Sequence, residues 1–267
     1  MKKHFSVFIY RKARSAAARN ALDRFLAQLG PEQPMPLHRA SFDLFTYHGE
    51  DGIIAWLTSR LTGLPKRFVD IGAGDCIRSN CARLAVHEGW QGVFADASAE
   101  QLDTGKRFYR KTGISGLQFI NRYITPGNVN RMLEEAGMTG EIGLLSVDID
   151  GNDFWVWEAL TVLQPRIVVI EAKVEFGLGN RVVPYGPANH REENSRYNGA
   201  SVEALRLLGW RKGYKLVGAN KEGYNLFFVQ EKEILLPVTA GEILADPAIQ
   251  DCFYPPDFFN EYQFEKA

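Results

Sequence analysis

From residue 66 to residue 173 the chain repeats one pattern: a short, nearly continuous apolar run, a turn, and a stretch with helical period. The runs are "RFVDIGA", "GVFADA", "LQFINRYI", "IGLLSVDID" and "RIVVIEAK". Between them lie "RSNCARLAVHEG", "SAEQLDTGKRFYRKTG", "GNVNRMLEEAG" and "DFWVWEALTVL". Strands without polar alternation are buried on both faces, which demands a parallel sheet with helices on each side. After a further helix, "ASVEALRLLGWRKG", the pattern changes: "YKLVGAN" and "YNLFFVQ" are joined by "KEG", a glycine-containing hairpin turn. The expected fold is therefore α/β, a seven-stranded, mostly parallel sheet ending in an antiparallel hairpin.

Around this core, residues 1–62 read as a helical cover, 63–230 as the α/β domain and 231–267 as an extension. "RSAAARNALDRFLAQLG" keeps helical period until Gly30 and Pro31, and "GEDGIIAWLTSRLTG" is a second helix with Glu50 and Asp51 at its positive end. The aromatic extension "CFYPPDFFNEYQF" is expected to pack on the domain or on a second copy in a homo-oligomer.

Composition narrows the class of partner. With 24% charged residues and a net charge of −1, the chain has no global attraction for nucleic acid or an anionic membrane. No apolar run approaches the roughly 18 residues of a membrane span. The first 22 residues are basic, and "FSVFIY" is short for a signal-peptide core. A basic surface helix is favoured there over a transit peptide or membrane-surface helix. The three cysteines, Cys76, Cys81 and Cys252, are too few and too irregular for a disulfide framework, which points to a reducing cytoplasm.

The stretch "FVDIGAGDCIRSN" runs a strand through a glycine turn into a helix. A dinucleotide fingerprint needs a third glycine or alanine where Ile77 stands, and Asp70 would sit beside a pyrophosphate. Both disfavour a nicotinamide-dependent oxidoreductase. A ligand with a cationic amino group suits the same aspartate, and S-adenosylmethionine (SAM) is such a ligand. Asp96, ending "GVFADA", follows the turn by roughly the 20 residues typical of an acid that accepts ribose hydroxyls.

These motifs, with "YHGEDGII", "GWQGVFADAS", "LLSVDIDGNDFWVWEAL", "PRIVVIEAKVEFG" and "NGASVEALRLLGWRKGYKLVGANKEGYNLFFV", resemble the FkbM-type family of class I SAM-dependent methyltransferases over about residues 46–230. The resemblance implies a Rossmann-like fold and methyl transfer to a hydroxyl of a small-molecule or glycan acceptor. It puts cofactor contacts at Asp70, Gly72, Gly74, Asn80, Asp96, Ala97, Asn121 and Asp148. Cys76 departs from it, since a third glycine is common there. A SAM-binding interaction module without turnover is the alternative from another class.

Methylating a hydroxyl requires its proton to be drawn away by a base or a metal. "SVDIDGNDFW" offers Asp148 and Asp150, alternate residues on one side of a strand end, and then Asp153 at a helix start. Asp148, Asp150 and His190 are the candidate catalytic residues, with His48 a competing base. Asp153, Glu171, Tyr197 and Asn198 are expected to line the acceptor pocket. Acids at these strand ends also suit magnesium, but the sequence lacks the adjacent acid pair of such sites, and the metal stays unassigned. Residues 174–199 carry no period, follow a strand's carboxyl end and read as a substrate lid.

Overall fold

A computed structural model describes residues 13–30, 35–186 and 196–267. The five apolar runs form parallel strands: β1 (Arg67–Ile71), β2 (Gln91–Asp96), β3 (Leu117–Asn121), β4 (Gly140–Val147) and β5 (Leu163–Glu171). The hairpin strands are β6 (Tyr214–Ala219) and β7 (Asn225–Gln230), and the sheet order is β3-β2-β1-β4-β5-β7-β6. β7 runs antiparallel between β5 and β6, leaving β6 at the edge. The expected seven-stranded sheet with its antiparallel hairpin is thus present.

Seven helices of seven residues or more accompany the sheet among the described residues: α1 (Ala16–Gln28), α2 (Glu50–Arg60), α3 (Ala82–Glu88), α4 (Ala99–Thr112), α5 (Val129–Glu135), α6 (Asp153–Ala159) and α7 (Val202–Arg211). Alternate strand residues divide between two cores. Phe68, Phe94, Leu144 and Phe227 pack with Ile53 and Leu57 of α2, Leu84 of α3 and Leu102 and Tyr109 of α4. Val69, Val93, Leu145 and Phe228 pack with residues of α5, α6 and α7. Apart from the edge strand β3, both sheet faces are covered, which is why the strands lack polar alternation.

Within the cover, one buried acid ties α2 to the loop before it. Asp51, fully buried in α2, accepts the backbone N–H groups of Leu44, Phe45 and Thr46 on a single carboxylate oxygen, at 2.9, 2.6 and 2.8 Å. The extension carries three short helices, α8 (Ala240–Ile243), α9 (Pro247–Gln250) and α10 (Phe258–Glu261), and packs on its own chain. Among the described residues no helix is long and apolar enough to cross a membrane.

The strand order reverses between β1 and its two neighbours, β2 and β4. In open α/β sheets this opens a crevice at the carboxyl ends of the strands.

Candidate functional site

The glycine turn leaves β1 and folds back onto β2. The N–H groups of Gly72 and Ala73 both donate to the Ala95 carbonyl, at 2.9 and 3.1 Å. Gly72 has φ +83°, and a Cβ there would run into the Asp148 carbonyl at the end of β4. Only glycine meets both demands. At the tip, the Gly74 N–H donates to Asp96 Oδ2 at 2.8 Å, while Ser98 N–H donates to Oδ1 at 2.7 Å. Asn121 donates from Nδ2 to the Asp96 and Ala97 carbonyls at 3.1 and 2.8 Å. The structure therefore brings Gly72, Gly74, Asp96, Ala97 and Asn121 together on one strand-end edge.

Asp70 lies on the inner side of this turn. Its carboxylate is 2% exposed and accepts the Ser79 hydroxyl, whose oxygen in turn accepts the Cys81 N–H at 3.1 Å. Burial pushes the Asp70 carboxyl up to about 6. It backs the turn from inside and shapes the approach to α3. Asn80, the next residue, donates from Nδ2 to Ser146 Oγ at 3.1 Å, tying the turn to β4. Sequence reasoning missed Asp75, which accepts from the N–H groups of Ile77 and Arg78 at 3.0 and 2.8 Å.

On the other side of β1, at the ends of β4 and β5, a cavity of about 380 Å³ is lined by polar groups. Asp148, Asp150 and Glu171 each place a carboxylate oxygen there, all within 4.8 Å of one another. Burial, and then the charges of Asp153 and Asp150, push Asp148 up to about 8. Burial and the neighbouring Asp148 raise Glu171 strongly, and Lys173 only partly offsets this. A set of carboxylate oxygens this close is the donor chemistry that hard divalent cations such as magnesium take. The residues present fit such an ion.

Asp153 also lines this cavity, yet both its oxygens hold backbone: Oδ1 accepts Ile149 N–H at 2.8 Å and Oδ2 accepts Gly151 N–H at 2.9 Å. Burial pushes it up to about 6. Between those contacts Asp150 sits at φ +59°, a left-handed conformation unusual for a residue with a side chain. Asn198 lines the cavity and donates from Nδ2 to the Asp150 carbonyl at 3.2 Å. Its neighbour Tyr197 joins instead an aromatic cluster with the extension. His48 is at the rim, 3.8 Å from Glu222. His190 lies outside the described residues.

Sequence reasoning also missed the wall made by the hairpin. Asn220 and Asn225 line the cavity, and both donate from Nδ2 to Glu50 Oε1 of α2, at 3.1 and 2.9 Å. Their only sequence signal was the flank of the hairpin turn, "GANKEGYN". The segment read as a lid is regular in part. It begins with a 3-10 turn, Val174–Phe176, and Val182 bridges to both Ala200 and Glu265.

The sheet order, hairpin and glycine turn define a Rossmann-like α/β fold. No protein-family model matches the chain, and no curated protein matches it. Solved structures do. The N-terminal domain of EvdMO1 with SAH bound is 12% identical, with a TM-score of 0.47 over 79% of this chain and 96% of that one. A SAM-dependent methyltransferase from Clostridium acetobutylicum is 11% identical, with a TM-score of 0.43 over 71% of this chain and 92% of that one. TehB from Haemophilus influenzae is 9% identical, with a TM-score of 0.42 over 67% of this chain. The match spans 62% of TehB, under two thirds of its length. Likeness at this level is one of sheet arrangement alone.

Proposed function

We propose that this chain is a SAM-dependent methyltransferase of the FkbM type that methylates a hydroxyl of a sugar, glycan or natural product. The observation that carries the reading is the pairing, on one strand-end edge, of a glycine turn beside Asp96 with a separate acid-lined cavity. The turn offers backbone close to the amino-acid part of the methyl donor, and Asp96, with Ala97 and Asn121 behind it, receives the ribose. Asp148, whose carbonyl touches Gly72, lies between the two regions.

The acceptor occupies the polar cavity, whose asparagines and carboxylates suit a polyhydroxylated molecule better than an apolar one. The acceptor oxygen attacks the methyl carbon opposite sulfur. The carbon–sulfur bond breaks, and SAH leaves as a neutral thioether. The hydroxyl proton passes to a carboxylate of the Asp148–Asp150 pair. A divalent cation held by Asp148, Asp150 and Glu171 would supply Lewis acidity, lowering the pKa of that hydroxyl. Lys173 and Asn198 then orient the acceptor.

The test is release of SAH from SAM in the presence of a panel of sugars and hydroxylated metabolites, with SAH affinity measured by titration calorimetry. SAH binding with acceptor-dependent turnover supports the reading. Binding without turnover on any acceptor favours a module that only holds the cofactor, and no binding at all removes the reading.

A further inference from the structure

The extension reaches the acid cavity through a continuous series of contacts. Tyr197 lies between them. Its ring stacks on Tyr262, with centroids 4.4 Å apart and planes at 21°, and meets Phe264 edge-on at 5.4 Å. Its hydroxyl donates to the Gln263 carbonyl. Val182, buried, exchanges two backbone hydrogen bonds with Glu265, at 2.9 and 2.8 Å. The guanidinium of Arg181 lies 3.9 Å over the ring of Phe259, and the Tyr254 N–H donates to the Glu175 carbonyl at 2.8 Å. Both limbs of the segment following β5 are thus gripped by residues 254–265.

The next contacts lead into the site. Val183 N–H donates to the Gly199 carbonyl at 3.0 Å, and Gly199 N–H donates to the Gly151 carbonyl at 3.1 Å. Asn198, adjacent to Tyr197, holds the Asp150 carbonyl. Asp150 needs such support. A non-glycine residue at positive φ is strained and persists only where surrounding contacts over-determine it. The turn itself supplies Asp153 from within, and residues 198–199 supply the outer half.

We propose that the segment from Tyr254 to Glu265 is a positioning element of the acid cavity, acting through Tyr197 to hold Asp150 in its left-handed conformation. Tyr197 and Tyr262 are not among the lining residues of the cavity and act through Asn198 and Gly199. The contact series stands on geometry; its consequence for an acceptor rests on the methyltransferase reading.

Amide hydrogen exchange in the full chain separates the two. In Tyr262→Ala, exchange at Gly151 and Gly199 should quicken by about tenfold or more, while the amides of β4 hold their wild-type rates. Tyr262→Phe should restore protection, because it keeps the stack. Tyr197→Phe, which removes only the hydroxyl bond to Gln263, should quicken the same two amides by a smaller factor. Unchanged exchange at Gly151 and Gly199 in Tyr262→Ala, or a rise shared equally by β4, would overturn the proposal. SAH affinity in the same samples should stay within about twofold of wild type, since the cofactor edge lies outside the series. A wild-type chain that binds no SAH sinks the methyltransferase reading but leaves the exchange result standing.

Discussion

Cys76 and Gly105 share one small volume. A Cβ on Gly105 of α4 would lie 2.7 Å from the Cys76 Cβ and 2.9 Å from its sulfur. Cys76 stands at φ +59°, where the resemblance favours glycine, and its side chain is buried toward α4. Tyr109 completes the arrangement by donating its hydroxyl to the Cys76 carbonyl at 2.7 Å. The missing glycine of the turn is matched by a glycine on the helix opposite.

That pairing predicts non-additive energetics. Gly105→Ala alone should destabilise by about 1–3 kcal/mol through overpacking. Cys76→Gly alone relieves the backbone but vacates the space. The double variant should recover part of the Gly105→Ala loss, since the Asp75 carbonyl, 2.8 Å from the added Cβ, remains, and chemical denaturation of all four proteins measures the coupling. Simple additivity would mean that the two side chains do not compete.

Asp96 is expected to serve the cofactor twice, by meeting the ribose and by anchoring Gly74 and Ser98. Asp96→Ala should weaken SAH binding by about tenfold or more, since each charge-assisted bond contributes roughly 1.5–3 kcal/mol. Asp96→Asn keeps an acceptor for the backbone and should lose less. Calorimetric titration with SAH decides, and equal affinity in Asp96→Ala and wild type would remove the ribose from this edge.

The acid cavity should cost stability as pH rises. Asp148 titrates at about 8 in the folded chain against an ordinary 3.8, so the folded state binds its proton more tightly. The stabilisation from that proton is complete below the ordinary value and is lost as pH climbs through about 8. The wild-type Tm should therefore fall across that window. Asp148→Asn should make the profile shallower, with Asp70, Asp153 and Glu171 keeping part of the slope, and raise Tm at pH 8 by about 2–4 °C for each kcal/mol recovered. A flat wild-type profile would contradict this electrostatic picture.

A cation at the same place would reverse part of that loss. At pH 8, added magnesium should raise the wild-type Tm by mass action and leave Glu171→Gln unmoved. Equal shifts in both proteins would place any magnesium effect elsewhere.

On the reaction itself, Asp150→Asn should bind SAH within a few-fold of wild type while turnover drops about 10²–10⁴-fold, the usual cost of losing a general base. Inhibition of the wild type by EDTA, reversed by magnesium, assigns the loss to a metal ligand. Indifference to EDTA assigns it to the base. Normal turnover in both Asp148→Asn and Asp150→Asn leaves His48 or His190 as the base.

The sheet was legible because its strands are apolar on both faces, a property that depends on local sequence and depth of burial alone. The glycine turn and Asp96 were legible by spacing. The surroundings of Asp70 were not legible, because nothing local shows that its carboxylate accepts the Ser79 hydroxyl in the interior. Asp153 shows the same ambiguity, since a carboxylate at a helix start can serve backbone or substrate. Glu50, Asn220 and Asn225 were invisible as a group, because their meeting depends on where the hairpin inserts. Tyr197 was placed at the acceptor by its neighbourhood in sequence, while its ring turns toward partners more than sixty residues later.

The insertion of β7 between β5 and β6 has a bearing on synthesis. Glu50 meets Asn220 and Asn225 across separations of 170 and 175 residues, and β5 lacks its antiparallel neighbour until β7 has been made. A chain emerging from the ribosome can lay down β1 to β5 with the acids of β4 and β5 already in place. It then carries those carboxylates beside an open strand edge, with one wall of the cavity still inside the exit tunnel. Such an edge is a template for mispairing. Nascent chains stalled before residue 225 should accordingly depend on chaperones in a way the released protein does not.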